Sequence, residues 1–346
     1  MTPAASHSNY HIAEQILQPY LQEIFNWTKS NGLILNPDKS TATLFTSDTH
    51  EHDVTLNLTI NNVTIPTVKN PKILGRTFDP ALTFSEHARI TKTKADSSIK
   101  ILKALTSTSW GKQKETLLAT YKTIILPVIE YASPVWYPII SDTNLQKLQT
   151  TQNSALRVVT GCTPDTNTQH LHKETKTLPL SNHLKLHASQ LRQKSQLPTH
   201  PLHDLTKQPE CPRKKKQTIF NDWGKKTISI SNSNTIPLTP ETISQNLKTI
   251  HTTIVDECLK SYEPTTILSG PAPDINPSEQ TLPHKTRRIL AQLRTGKSPI
   301  LRSYLHKIDP ASHPSPTCPL CNSQDHSTQH LFSCPNITTT LTARDL

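Results

Sequence analysis

No stretch of this 346-residue chain approaches the ~20 consecutive apolar residues of a membrane-spanning helix, so such a helix and a membrane partner are excluded. The first residues, MTPAASHSNYHIAEQ, lack the apolar centre of a signal peptide. Cysteine is scarce outside one terminal cluster: Cys162, Cys211 and Cys258 stand alone, which excludes a secreted disulfide scaffold. Together these absences predict an intracellular, reducing location, in the nucleus and/or cytoplasm. Apolar residues make up only 33% of the chain and glycine only 7 positions, against 28 prolines. One large uniform core is therefore excluded. The composition predicts two or three domains of modest core, joined by polar, proline-broken and partly disordered connections. No internal repeat is present.

Positive charge is what the chain has in excess. The formal net charge is +11, and it is concentrated in the middle: residues 71–230 hold 24 Lys/Arg against 11 Asp/Glu. A basic segment of this kind suits a polyanion, because each phosphate contact releases counterions. A merely solubilising surface is the alternative. The run Arg213, Lys214, Lys215, Lys216 fits either a nuclear import signal or a solvated loop.

The hydrophobic pattern predicts an α+β chain. Ile12, Ile16, Tyr20, Ile24 and Trp27 recur at helical spacing over 11–31, with Asn31-Gly32 as a stop and Pro19 as an expected kink or late start. Strand-like runs follow at 42–46, 54–60, 63–68 and 72–78, with a turn at Asn61-Asn62, predicting a small, mostly antiparallel β unit. Helices are expected at 84–107 (core face Ile90, Ile101, Leu102, Leu105), 112–131 (Tyr121, Ile124, Ile125, Val128, Ile129), 142–160 (Leu145, Leu148, Leu156, Val159) and 181–196. Residues 197–240 read as a polar, flexible linker. Helix resumes near 241–260, five prolines break 263–283, and a basic helix is expected over 284–307.

The last thirty residues carry the chemistry. CPLCNSQDHSTQHLFSCP has the spacing Cys318-x2-Cys321-x8-His330-x3-Cys334. A CxxC turn brings two thiolates to one ion, and a His and a Cys one helical turn apart complete a tetrahedral shell. A closed Cys3His shell predicts a structural Zn2+ that supplies folding energy, not a catalytic one. His326 is an alternative ligand, and incidental thiols are the alternative reading. Such knuckles either contact single-stranded nucleic acid or act as staples.

Four segments, in order, resemble one family. LAQLRTGKSPILRSYLHKIDPASHPSPTCPLCNSQDHSTQHLFSCP is similar to the C-terminal end of jockey-type non-LTR retrotransposon reverse transcriptases, where such a helix leads into a CxxC…HLFxCP knuckle. FNWTKSNGLILNPDKSTATLFT resembles the element after the polymerase active site, through Asn31, Leu33, Asn36 and Lys39. KNPKILGRTFDPALTFSEH resembles the primer grip, and LLATYKTIILPVIEYASPVWYP the thumb helix ending in YxxPVW. The resemblance runs over most of 11–345 and is weakest over 200–280.

It implies a C-terminal polymerase fragment with five parts: a palm edge with primer grip at 1–83, a helical thumb at 84–196, the linker at 197–240, a helical region at 241–310, and the knuckle and tail at 311–346. Leu74 and Gly75 would then position the primer end. Lys39, otherwise a surface lysine in a turn, would sit near the incoming phosphates as a general acid. Lys92, Lys94, Lys100 and Lys103 on the first thumb helix, with Arg287, Arg288 and Arg294 on the basic helix, are the candidate nucleic-acid contacts; exposed polar faces are the alternative. The implied partners are RNA and DNA as template–primer, and an N-terminal polymerase portion that this chain lacks.

Nucleotidyl transfer needs carboxylates holding two Mg2+ ions, and the chain contains no Asp-Asp pair. The resemblance therefore implies no catalytic residue here and Mg2+ only in a full-length parent. It also implies a β-unit edge left unpaired, poorly ordered or prone to association. A stand-alone zinc-knuckle protein, binding nucleic acid or a partner without enzymatic role, is the alternative.

Overall fold

A computed structural model of the protein describes residues 2–107, 110–206, 227–228, 239–261 and 277–343. It is α+β, and the chain divides into two compact units: Met1–Ile90 with Ile139–Asn144, and Thr91–Pro138 with Leu145–Leu346. Most of the expected linker, with its basic run Arg213–Lys216, lies outside the described residues, as does most of the proline-rich break. No helix among the described residues is long and apolar enough to cross a membrane.

The first unit is built on helix α1 (Tyr10–Ser30). The Asn9 side chain caps it by accepting from His11 N, and Gly32, at φ +71°, follows its end. The helix runs unbroken through Pro19, where a kink was expected. Anchors on both sides of the proline hold it: Leu17, Leu21 and Phe25 pack into the core. Gln18 makes two backbone hydrogen bonds, donating to Thr59 O and accepting from Thr59 N, both at 2.9 Å. The residues that line the core are not the ones the spacing singled out. Ile12, Ile16, Tyr20 and Trp27 lie on an exposed face, and Leu17, Leu21 and Phe25 on the buried one.

Two antiparallel hairpins form the β part: β1 (Thr59–Ile60) with β2 (Val63–Thr64), and β3 (Lys72–Ile73) with β4 (Arg76–Thr77). Their tips, Asn61-Asn62 and Leu74-Gly75, have positive φ at both residues, the backbone of a tight primed turn. The expected longer strands do not form one sheet. Pro66 and Pro71 cannot donate to a ladder, and a single parallel bridge joins Ala42 to Thr67. The alternation over 54–60 does hold: Leu56, Leu58 and Ile60 are buried with Ala42 and Ile65 against α1. The edge of this segment is not bare, since Asn57 N donates to Glu14 and Thr59 N to Gln18.

The second unit is helical. Helix α2 (Ser85–Ala104) contributes residues to both units. It is followed by α3 (Lys114–Thr120), a π segment (Tyr121–Ile125), α4 (Leu126–Glu130), α5 (Ser133–Trp136), α6 (Asp142–Thr160), α7 (Thr168–Thr175), α8 (Leu180–Ser195) and α9 (His203–Thr206). Then come α10 (Pro240–Lys260), α11 (Pro277–Gln280), α12 (His284–Arg294), α13 (Arg302–Ile308) and α14 (Thr328–Ser333). One helix was expected over 112–131. It is broken by the wide turn before Pro127, whose ring has no N–H to give and crowds the preceding turn. Tyr121, Ile125, Ile129 and, on α2, Leu102 are buried as expected, while Ile124 and Ile101 face outward and Ile99 joins the α2 core face instead. Leu148, Leu156 and Val159 of α6 are buried.

The basic helix expected over 284–307 is two helices. Gly296, at φ +66°, ends α12: Lys297 N donates to Gln292 O and Gly296 N to Leu293 O, each at 2.9 Å. This is the paired hydrogen-bond stop of a Schellman motif, and Pro299 follows it. Helices α8 and α10 pack through Leu186, Ile250 and Ile254.

Candidate metal centre and nucleic-acid interface

The Cys318-x2-Cys321 turn sits at the tip of a short hairpin. Cys318 N donates to Gln324 O and Asn322 N to Cys318 O, with Asn322 in the left-handed region at φ 52°. Ser327 caps α14 by accepting from His330 N, which places His330 in the helix and Cys334 at its end. The four donor atoms gather within 4.8 Å of one another. Cys318 Sγ lies 3.9 Å from Cys334 Sγ, and Cys321 Sγ 3.2 Å from His330 Nε2. A tetrahedral zinc shell needs sulfurs about 3.8 Å apart and sulfur–nitrogen pairs about 3.5 Å apart, so the residues fit Zn2+.

The surroundings are those of a thiolate site. The Ser323 hydroxyl donates to Cys321 Sγ at 3.1 Å, and with the backbone N–H groups of Ser323 and Gln324 it holds the Cys321 thiol down at about 6. Burial pushes Cys334 the other way, reinforced by Cys318 and Cys321. His330 Nδ1 lies 3.0 Å from Gln324 Oε1, an outer partner that turns Nε2 toward the thiols. His326, the alternative ligand, is spent elsewhere: its Nδ1 accepts from Arg302 N at 3.2 Å and its carbonyl from the Ser303 hydroxyl at 2.8 Å. With Thr328 Oγ1 donating to Leu293 O, these bonds fix the knuckle to the α12–α13 turn.

The expected nucleic-acid residues separate into two groups. On α2, Lys94, Lys100 and Lys103 are exposed, while Lys92 pairs with Asp96. At helical spacing Lys92, Lys100 and Lys103 share one stripe, and Lys94 lies off it. Arg287 and Arg294 are not surface residues, and their place among the contacts is corrected. Both are buried, because each guanidinium is held by carboxylates of packed helices. Arg287 binds Glu115 and Gln113, and Arg294 binds Glu279 at 2.7 Å and Glu174 at 3.2 Å, while Lys114 also reaches Glu174 at 2.7 Å. A phosphate would have to break this network to reach either arginine. Arg288 Nε donates to Gly161 O at 3.1 Å, joined there by Gln292. This network is not legible in the sequence, because Arg287 meets Glu115 and Arg294 meets Glu174 across more than a hundred residues of chain.

In the first unit, Leu74 and Gly75 form the exposed tip of the β3–β4 hairpin. Lys39 is exposed in a 3-10 turn, Pro37–Lys39, capped by Asn36.

The chain is 25% identical over 179 residues, 52% of its length, to a probable RNA-directed DNA polymerase from transposon X-element of Drosophila melanogaster. It is 27% identical over 173 residues, 50% of its length, to a probable RNA-directed DNA polymerase from transposon BS of the same species. The chain is similar to RNA-directed DNA polymerases of transposons. The matched segment spans 19% of the length of each of these relatives. No protein-family model and no solved structure matches the chain.

The Mg2+ that polymerase chemistry uses does not fit the residues gathered here. Among the described residues, the clusters of three or more ligand side chains hold no Asp and a single Glu, not the oxygen-rich shell of that ion.

Proposed function

We propose that this chain is the nucleic-acid-holding, C-terminal part of a retrotransposon RNA-directed DNA polymerase, and that it does not polymerise by itself. The observation that carries the reading is the similarity to two transposon polymerases, joined to four motifs in the family's order. In this reading residues 84–196 are the thumb, and the stripe of Lys92, Lys100 and Lys103 tracks the backbone of the template–primer duplex. The Leu74-Gly75 tip is the primer grip. Lys39 stands on the phosphate side of a site whose carboxylates and Mg2+ belong to the polymerase portion upstream.

The zinc knuckle serves as a staple. Its ligands are mostly buried, and its hydrogen bonds run to the α12–α13 turn. That arrangement favours a structural role over the alternative of a knuckle acting alone on nucleic acid.

The test is a salt titration of binding to an RNA–DNA hybrid. Replacing Lys92, Lys100 and Lys103 with Glu should weaken binding and flatten the slope of log K against log salt by about two to three. Replacing Lys94 should change both less. A slope unmoved by the triple change would reject the thumb assignment, and primer extension by this chain alone would reject the absence of catalysis.

A further inference from the structure

We propose that Glu130, His183 and His187 form a second metal site in the helical unit, one that takes a borderline divalent cation such as Zn2+ and leaves a coordination position open. The site is independent of the knuckle and of the polymerase reading.

His183 and His187 stand four residues apart on α8, so both imidazoles project from one face of that helix. Their ring centroids are 4.8 Å apart with planes at 61°. Glu130, the last residue of α4, is brought against them and faces His183. One donor atom from each residue falls within 4.8 Å of the other two. A zinc shell needs such atoms about 3.4 Å apart; Glu130 Oε1 and His183 Nδ1 already stand nearer than that, and side-chain rotation would part them around an ion while drawing in His187.

A second observation points to a ligand. Glu130 Oε1 and His183 Nδ1 are both buried and face each other as an ion pair, with no hydrogen bond to any other group. A buried carboxylate–imidazole contact that lacks hydrogen-bond geometry is costly unless something shared satisfies both atoms. A cation between them does so and also engages His187. The Ser133 hydroxyl, 3.4 Å from His187 Nδ1, is placed to orient that ring.

The donor set decides the cation. Two imidazoles and one carboxylate suit Zn2+, Co2+ or Ni2+, whereas Mg2+ and Ca2+ take shells of oxygen. All three residues are partly exposed, so the fourth position is open to water or to a small anionic ligand. A bound cation would pin the end of α4, and the turn after it, to α8.

The experiment counts metal on the full chain after dialysis against chelator-buffered Zn2+. The expected result is two equivalents for the unaltered protein and one for His183→Gln/His187→Gln, with circular dichroism unchanged. Cys318→Ser/Cys321→Ser should also keep one. Loaded with Co2+, that protein should show the visible bands of a nitrogen–oxygen shell without thiolate charge transfer. Should the paired histidine change disturb folding, Glu130→Gln keeps size and hydrogen bonding and should weaken the second equivalent by about tenfold or more. One equivalent in the unaltered protein, two in the histidine variant, or an unmoved second affinity in Glu130→Gln would each overturn the site.

Discussion

Replacing Arg294 with methionine removes the guanidinium at the centre of the buried network while keeping a long apolar stem. In the intact protein Arg294 Nη2 lies 2.7 Å from Glu279 Oε2 and Nη1 lies 3.2 Å from Glu174 Oε1. The side chains of Arg294 and Glu279 are each 7% exposed and that of Glu174 is fully covered, so water cannot replace the lost donor. Breaking a buried pair from one side costs about 3–5 kcal/mol, because it leaves a desolvated charge behind. Two features place this case near the lower bound. Glu174 keeps Lys114 at 2.7 Å, and Glu279 keeps Arg287 at 3.8 Å. The expected loss is therefore about 3 kcal/mol. With a urea slope near the upper end of the usual range, the midpoint should fall by roughly 1 M.

The cause can be isolated by a second change. Glu279→Gln in the Arg294→Met background removes the orphaned charge, and should recover about half of the loss, a coupling above about 1 kcal/mol. Equilibrium urea unfolding of the zinc-loaded chain, followed by near-ultraviolet circular dichroism, reads all four corners of the cycle. A single-variant loss under about 1 kcal/mol, or a double variant that loses the plain sum, would refute the claim that α12 is held by buried charge.

Two further outcomes follow from local geometry. Gly161→Ala should cost well over the ~1 kcal/mol of a left-handed alanine, because the added Cβ at φ +69° would meet Arg288 Cγ at 2.4 Å; Gly296→Ala, at φ +66° with nothing within 4 Å, should cost only about that ~1 kcal/mol, and equal losses in thermal unfolding would be wrong for both. Burial pushes His172 down to about 4, against a hydrogen bond to Thr177 O that works the other way. The unfolded chain therefore takes up this proton first on acidification, so stability present above about pH 6.5 is lost as pH falls toward 4, by about 3 kcal/mol. His172→Gln should flatten the stability profile in that window, and an unchanged slope would exclude His172 as its source.

What could be read from the sequence was whatever depends on near neighbours. The Cys3His centre was legible because a CxxC turn and a His-x3-Cys helix end fix their ligands locally. The Asn61-Asn62 turn and the buried alternation of Leu56, Leu58 and Ile60 were legible for the same reason. The division of the basic helix at Gly296 could have been read from Gly296-Lys297-Ser298-Pro299, a stop signal outweighed by the run of basic residues around it. The burial of Arg287 and Arg294 could not, since charge on a helix says nothing of carboxylates such as Glu115 and Glu174 brought in from elsewhere. The pairing of Glu130 with His183 and His187 was half-legible: the His-x3-His spacing is local, its carboxylate is not.

Helix α1 shows why period alone misjudges a core. Ile12, Ile16, Tyr20 and Trp27 keep helical spacing and yet lie exposed, while on another face Leu21 is buried and Leu17 and Phe25 are partly buried in the core that holds Ile60 of β1. A surface helix carries one apolar stripe, and a helix apolar on two faces belongs between two layers. The β1 side supplies one layer here, through Leu56, Leu58 and Ile60 and through the clasp of Glu14 and Gln18 on the strand edge. Among the described residues nothing covers the other face, where Tyr20 and Trp27 are each more than half exposed. In the polymerase reading that face meets the rest of the palm. The same reading accounts for the second apolar face of α1, for which a self-contained knuckle protein would need a separate reason.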